Sequence, residues 1–208
     1  MVCGKRMEQS RNISAATWEA CKAGDKAAYA TIYTAYYPRL FNYGKKFTRD
    51  EQSIEDSIQE IFTAFWFSRQ KLNMVREVPA YLLTCFRNHL LNTISKNRVT
   101  SSADFETESG SFNLEMSVDQ VMINAERIYE QSINLRESLE KLTPHQKEAL
   151  FLRFYENLSY DQIAGIFGIS VKATYKLMAR AVSELRSVYK LKLASTILSL
   201  VGCFCQFC

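Results

Sequence analysis

Leu158–Arg186, LSYDQIAGIFGISVKATYKLMARAVSELR, is the stretch on which the reading of this chain turns. It reads as two short helices joined by a tight turn. Ser159 and Gln162 form an S-x-x-Q capping box, in which each side chain satisfies a free backbone N–H of the other, so a helix opens there. Ile163, Ala164, Ile166 and Phe167 give that helix an apolar face. Gly168 suits the left-handed position that ends it. Ser170 can cap a second helix from Val171. Two helices across so short a turn cross steeply, as in helix-turn-helix units that lay the second helix in the DNA major groove. In the second helix Val171, Met178, Ala181 and Leu185 make the inner stripe. Lys172, Ala173, Lys176 and Arg180 are left outward, with Tyr175 near the edge. Cations there can neutralise phosphates. The plainer reading is a basic surface helix of some other bundle. The capped helix, glycine turn and capped basic helix in succession favour DNA, because that signal is architectural, not compositional.

Working outward, the chain has 208 residues, 47% hydrophobic and 23% charged, with a net charge of +4. One or two domains with real cores are expected. The charge is unevenly placed. From Val171 to Lys192 six cations stand against Glu184 alone, whereas Asp104–Glu140 is predominantly acidic. A basic end behind an acidic middle suggests two different kinds of surface. Cys3, Cys21 and Cys85 are scattered and Cys203, Cys205 and Cys208 crowd the end, which is not the framework of a secreted disulfide scaffold. The first residues, MVCGKRMEQSRN, lack the apolar core of a signal peptide, so a cytoplasmic location is expected.

Glycine and proline are scarce and apolar residues recur at helical spacing, which predicts an all-α fold. The spacing predicts a helix over Ser14–Ala23 closed by Gly24, and a long one over Lys26–Phe47 bent near Pro38. Further helices are expected over Glu51–Gln70 and from Pro79 to about Asn97. Thr100–Ser117, rich in serine and acid, is the convincing linker. Helices resume near Val118, and Thr143, Pro144 and Gln146 make a second capping box that opens a helix to Tyr155. The expected organisation is therefore two small helical domains, 13–98 and 118–192, joined by a flexible acidic linker, 99–117. The second domain ends in the helix-turn-helix, and an apolar tail, 193–208, follows. That uncharged tail is short for a membrane span; a final packed helix, a partner surface and a weak membrane anchor all remain open.

Two helix faces stand out. On Glu51–Gln70, Asp56, Gln59, Glu60 and Thr63 line one polar side, with Phe65 and Trp66 one turn on. The plain reading is a solvated face; the functional one is a docking stripe of acids beside an aromatic anchor, suited to a basic partner. On Pro79–Asn97, Asn88, Asn92 and Ser95 share a face, with Arg87 beside it and Lys96 and Arg98 at the end. Such side chains can hold phosphates or read base edges, and Tyr81 or Phe86 can stack on unpaired bases, although Phe86 falls in the apolar stripe of Leu83, Leu90 and Ile94. Catalysis finds little support. His89 and His145 each stand alone, no Gly-rich phosphate loop is present, and CFCQFC has no complementary Cys/His pair to complete a metal site. No metal, cofactor, catalytic residue or small-molecule substrate is expected.

The residues also resemble a family, the extracytoplasmic-function sigma factors of the sigma-70 family, over about Tyr29–Arg186. YYPRLFNYGKKF and IEDSIQEIFTAFW are similar to its regions 2.1 and 2.2. PAYLLTCFRNHLLNTISKNR resembles regions 2.3 and 2.4, and LRESLEKLTPHQKEALFLRFYENLSYDQIAGIFGISVKATY resembles region 4. The resemblance implies that Asp56, Gln59, Glu60, Phe62 and Trp66 dock on core RNA polymerase. It implies that Tyr81, Arg87, Asn88, Asn92, Lys96 and Arg98 contact and help melt the −10 element. Ser170, Lys172, Ala173, Tyr175, Lys176 and Arg180 would contact the −35 element, and the acidic linker would thread toward the polymerase's active-site and RNA-exit channels. The implied partners are core polymerase, promoter DNA and an anti-sigma factor, commonly membrane-bound, which would recruit the chain to the membrane. Such a protein directs an enzyme without being one. Thr174 stands where the family usually has valine, Tyr175 where a basic residue is common, and Tyr81 where tryptophan is frequent. The alternative is a stand-alone helix-turn-helix regulator that binds duplex DNA as a dimer.

Overall fold

A computed structural model of the chain describes residues 13–71, 78–100, 112–114 and 138–186, without the side chains of 71 and 98–100. The expectations for the apolar tail, the helix resuming near Val118 and most of the acidic linker lie outside the described residues. Among the described residues the structure is helical, with no strand. The chain divides into two compact units at Ser111/Phe112; Gly165–Gly168, the end of a helix in the second stretch, groups with the first and is described with its own helix.

Among its described residues the first unit shows four α-helices. Ser14 caps α1 (Ala15–Lys22) by accepting from the Thr17 N–H at 3.1 Å. The helix ends at Gly24, whose φ of 99° only glycine adopts without strain. Asp25 then caps α2 (Lys26–Gly44), accepting from the N–H groups of Ala27 and Ala28. This helix runs on through Pro38 without a break. Its buried row, Ala28, Ile32, Tyr36, Leu40, Tyr43 and Gly44, follows the helical period. Gly44 permits a close helix approach: a Cβ there would stand 2.7 Å from Ile54 Cγ2 and 3.0 Å from Phe86 Cζ. Asp50 caps α3 (Glu51–Ser68), which buries Ile54, Ile58, Ile61, Phe62 and Phe65 at helical spacing. A short 3-10 turn, Arg69–Lys71, follows. The fourth helix, α4 (Val78–Thr100), buries Val78, Leu82, Leu83, Phe86 and Leu90. Helix α3 packs on both α2 and α4. Rings from α1, α2 and α3 interlock beside them: Trp18 stacks on Phe65 at 5.1 Å, and Tyr33 meets Phe62 edge-on at 4.9 Å.

The second unit buries Leu142, Ala149, Leu152, Leu158, Ile163 and Met178, and its helix ends are closed by side-chain caps. Thr143 and Gln146 form the complete capping box of α5 (Pro144–Leu150), with proline in the first turn. The expected continuous helix to Tyr155 instead widens into a π-helix, Phe151–Tyr155. Asn157 closes it with a left-handed φ of 58°, which asparagine tolerates, and the Leu158 N–H reaches back to Leu152 O. The helices α6 (Tyr160–Phe167) and α7 (residues 171–186) follow. Phe112, inside the expected linker, is instead buried against Phe151 at 5.7 Å. Fully burying such a ring gives it a strong apolar reason to pack, about 1.5–3 kcal/mol.

Candidate protein and nucleic-acid interfaces

In the first unit the face of α3 opposite its buried row carries Asp56, Gln59, Glu60 and Thr63, all exposed. Asp56 accepts from Gln52 Nε2 at 2.8 Å, one turn earlier. Glu60 Oε2 lies 2.8 Å from Nε2 of His89 on α4, so one acid of the row is held by a neighbouring helix. Trp66 is half-buried. Tyr29 meets it edge-on at 4.9 Å, and the Arg69 guanidinium lies 4.2 Å from its ring centroid while Nη1 donates to the Trp66 carbonyl at 2.6 Å. A cation over an indole is attracted by the ring's negative face, so this anchor is fixed in place and partly covered. Phe62 corrects an expectation. At 1% exposure it is a core residue that positions the row, and cannot itself touch a partner in this conformation. Phe67, which the sequence reading passed over, is 79% exposed. Its position at i+4 from Thr63 and i+7 from Glu60 extends the polar row, and that spacing was its signal.

On α4 the exposed residues Asn88, Asn92 and Lys96 stand at successive i+4 positions, with Arg87 half-buried beside them. Tyr81 is not a free platform. It meets Trp18 edge-on at 6.5 Å, and burial, aided by its hydrogen bond to Cys85, pushes its hydroxyl up to about 12. Phe86 is fully buried, as its place in the apolar stripe implied. Of Arg98 only the backbone is described.

In the second unit the predicted caps form. The Ser159 N–H donates to Gln162 Oε1 at 2.6 Å, and the Gln162 N–H to Ser159 Oγ at 3.3 Å. Gly168 takes a φ of 66°. Ser170 accepts the Ala173 N–H on its hydroxyl at 3.2 Å. Thr174, in the place of a valine, is fully buried with Met178 and Ala181. Its hydroxyl donates to the Ser170 carbonyl at 3.3 Å, which is how a polar atom is accommodated there. Lys172, Lys176 and Arg180 are exposed, Ala173 is half-buried, and the Tyr175 ring packs tilted against Tyr160 with centroids 4.3 Å apart. Of the inner stripe expected on α7, Met178 and Ala181 are buried and Val171 and Leu185 half-buried, which leaves a basic face there and an acidic–aromatic face on α3.

Among the described residues no helix is long and apolar enough to cross a membrane. Residues 32–100 match the family model Sigma-70 region 2, and residues 132–185 match Sigma-70, region 4. The ECF RNA polymerase sigma factor SigK of Mycobacterium ulcerans is 22% identical over 165 residues, covering 79% of this chain and 87% of that protein. The ECF RNA polymerase sigma factor BldN of Streptomyces coelicolor is 26% identical over 176 residues, covering 80% of this chain and 62% of that protein. Two solved structures share the fold at a TM-score of 0.55. CnrH in complex with the cytosolic domain of CnrY is 18% identical, covering 85% of this chain and 96% of that one. The sigma factor RpoE in complex with the anti-sigma factor NepR from Bartonella quintana is 17% identical, covering 78% and 96%. With a region 2 and a region 4 in this order, and relatives of this kind, the chain belongs to the extracytoplasmic-function sigma factors of the sigma-70 family.

Proposed function

We propose that the chain binds core RNA polymerase through the exposed row of α3 and grips a promoter at two points. The row Asp56, Gln59, Glu60 and Trp66, lengthened by Phe67, docks on a basic surface of polymerase, with Phe62 holding it from beneath. Asn88, Asn92 and Lys96, with Arg87 and Arg98 nearby, take the −10 strand as it opens, their amides and cations serving bases and phosphates respectively. Lys172, Lys176 and Arg180 hold phosphates around the −35 element, where Ser170, Ala173 and Tyr175 lie at the reading end of α7. The chain performs no chemistry of its own and acts in the cytoplasm, where polymerase and DNA are. An anti-sigma factor is a fitting inhibitor, because it need only cover the α3 row or the basic face of α7. The neighbour RpoE, solved in complex with the anti-sigma factor NepR, supports that reading.

The observation that carries the proposal is the coexistence of a presented acidic–aromatic row and a capped basic helix in one chain. Duplex binding alone calls only for the second. The row is tested by Asp56→Lys with Glu60→Lys, both at exposed positions, so that the fold is preserved. Affinity for core polymerase, measured by fluorescence anisotropy, should fall at least about fivefold, in line with truncating a hot spot worth more than about 1 kcal/mol. Unchanged affinity in the folded double variant overturns the docking row.

A further inference from the structure

Tyr175 is the only aromatic residue in 171–186, and it stands where a cation would serve phosphate binding. It is 55% exposed although one side of it is engaged by Tyr160 at 4.3 Å, with the rings tilted by 38°. Tyr160 is the first residue of α6 and is itself held. The Arg153 guanidinium carbon lies 5.1 Å from its centroid, and Arg153 Nη1 donates to the Leu158 carbonyl at 2.8 Å. Arg153, Tyr160 and Tyr175 thus form a continuous stack from the π-helix to the fifth residue of α7. A ring held this way keeps its rotamer before any ligand arrives and loses little freedom on binding. Exposed Lys172 and Lys176 flank it, suited to phosphates, which carry no sequence information. The ring offers instead an apolar edge, and in the major groove the apolar group is the C5-methyl of thymine.

We propose that Tyr175 is a specificity-determining residue that reads a thymine methyl in the upstream promoter element, and that Tyr160 and Arg153 are its positioning residues. This rests on the reading of α7 as the −35 helix. The stack replaces a flexible cation, which would add affinity for any sequence, with a fixed apolar contact that discriminates among bases.

The test uses holoenzyme assembled from the full chain and core polymerase, and promoter duplexes that it selects from genomic fragments. Each thymine of the protected upstream element is replaced singly by deoxyuridine, which removes the methyl and nothing else. At one position the wild-type holoenzyme should bind about three- to fivefold more weakly, the worth of one buried methyl group. That loss should disappear with Tyr175→Ala, persist with Tyr175→Phe, and shrink with Tyr160→Ala while circular dichroism shows the helices intact. A merely structural role for Tyr160 would lower binding to both duplexes alike. The inference is overturned if no deoxyuridine replacement matters to the wild type, or if Tyr175→Ala retains the sensitivity. Tyr175→Phe lowering affinity for every sequence would also overturn it, because the hydroxyl would then be a phosphate contact. Selection of no promoter at all by a holoenzyme that assembles would overturn the −35 reading itself, a result distinct from these.

Discussion

The first and second units each carry a helix proposed to meet a partner, and they differ in how much local capping is added to its packing. In the first, α3 lies on α2 and α4 with Ile54, Ile58, Ile61, Phe62 and Phe65 buried, so its exposed row is set by packing. In the second, α6 and α7 also bury a row, Ile163, Ala164, Ile166, Met178 and Ala181, and add reciprocal caps at Ser159 and Gln162, the left-handed Gly168 and the cap at Ser170 where the two helices meet. The interfaces differ accordingly. The α3 row is partly engaged before any partner arrives, Glu60 by His89 and Trp66 by Arg69. On α7 the cations Lys172, Lys176 and Arg180 project exposed, and Tyr175 is the aromatic held against a neighbour. A surface that must fit one protein benefits from rigidity, whereas phosphate contacts tolerate mobile lysines.

The sharpest way to break this contrast is to remove packing in the first unit. Phe62→Ala leaves a cavity beneath the docking row, and truncation of a buried Phe costs about 3–5 kcal/mol. Urea unfolding should show that loss in the first unit, with polymerase affinity falling alongside. A loss below about 1 kcal/mol would mean that the row is not held by packing. The corresponding change in the second unit is conformational. Gly168→Ala puts a Cβ into the left-handed region, where the penalty is about 1–2 kcal/mol, although nothing stands within 4 Å of that Cβ. Its thermal midpoint should therefore fall through backbone strain alone. Ser159→Ala should cost about 1 kcal/mol by removing one half of the capping box.

The smallest expected effect is a pH dependence in the first unit. The Ser53 hydroxyl and, next, the Ser53 N–H donate to the Asp50 carboxylate and hold its pKa below the usual carboxylate range. A depressed folded pKa contributes stability that is present above the unfolded value and lost as pH falls through the folded one. Wild type and Asp50→Ala should therefore differ at neutral pH and converge in acid, as read by thermal unfolding across a pH series. A gap that stays constant down to low pH would show that the capping carboxylate's charge is irrelevant.

Local features of this molecule were the most legible in the sequence. Both capping boxes and Gly168 are set by residues three or fewer positions apart, and the polar side of α3 by a single period, so each is readable without knowing the neighbours. What was hidden depends on tertiary contact or on a departure from the regular helix. The extra residue in Phe151–Tyr155 follows no hydrophobic period, and its closure at Asn157 was its one local trace. Phe112 looked like part of a polar linker because its partner, Phe151, is 39 positions away. Phe62 carries a family position that suggests contact, yet its burial makes it a support. The stack of Arg153, Tyr160 and Tyr175 joins three elements and appears only when they fold together.

The most direct test of the two-point grip is transcription in vitro with core polymerase, the full chain and a genomic promoter library. The account predicts transcripts from discrete start sites that require both the chain and core polymerase, with weak or no footprint by the chain alone. A folded chain that yields no such transcripts, or that protects a palindromic site without polymerase, would contradict it.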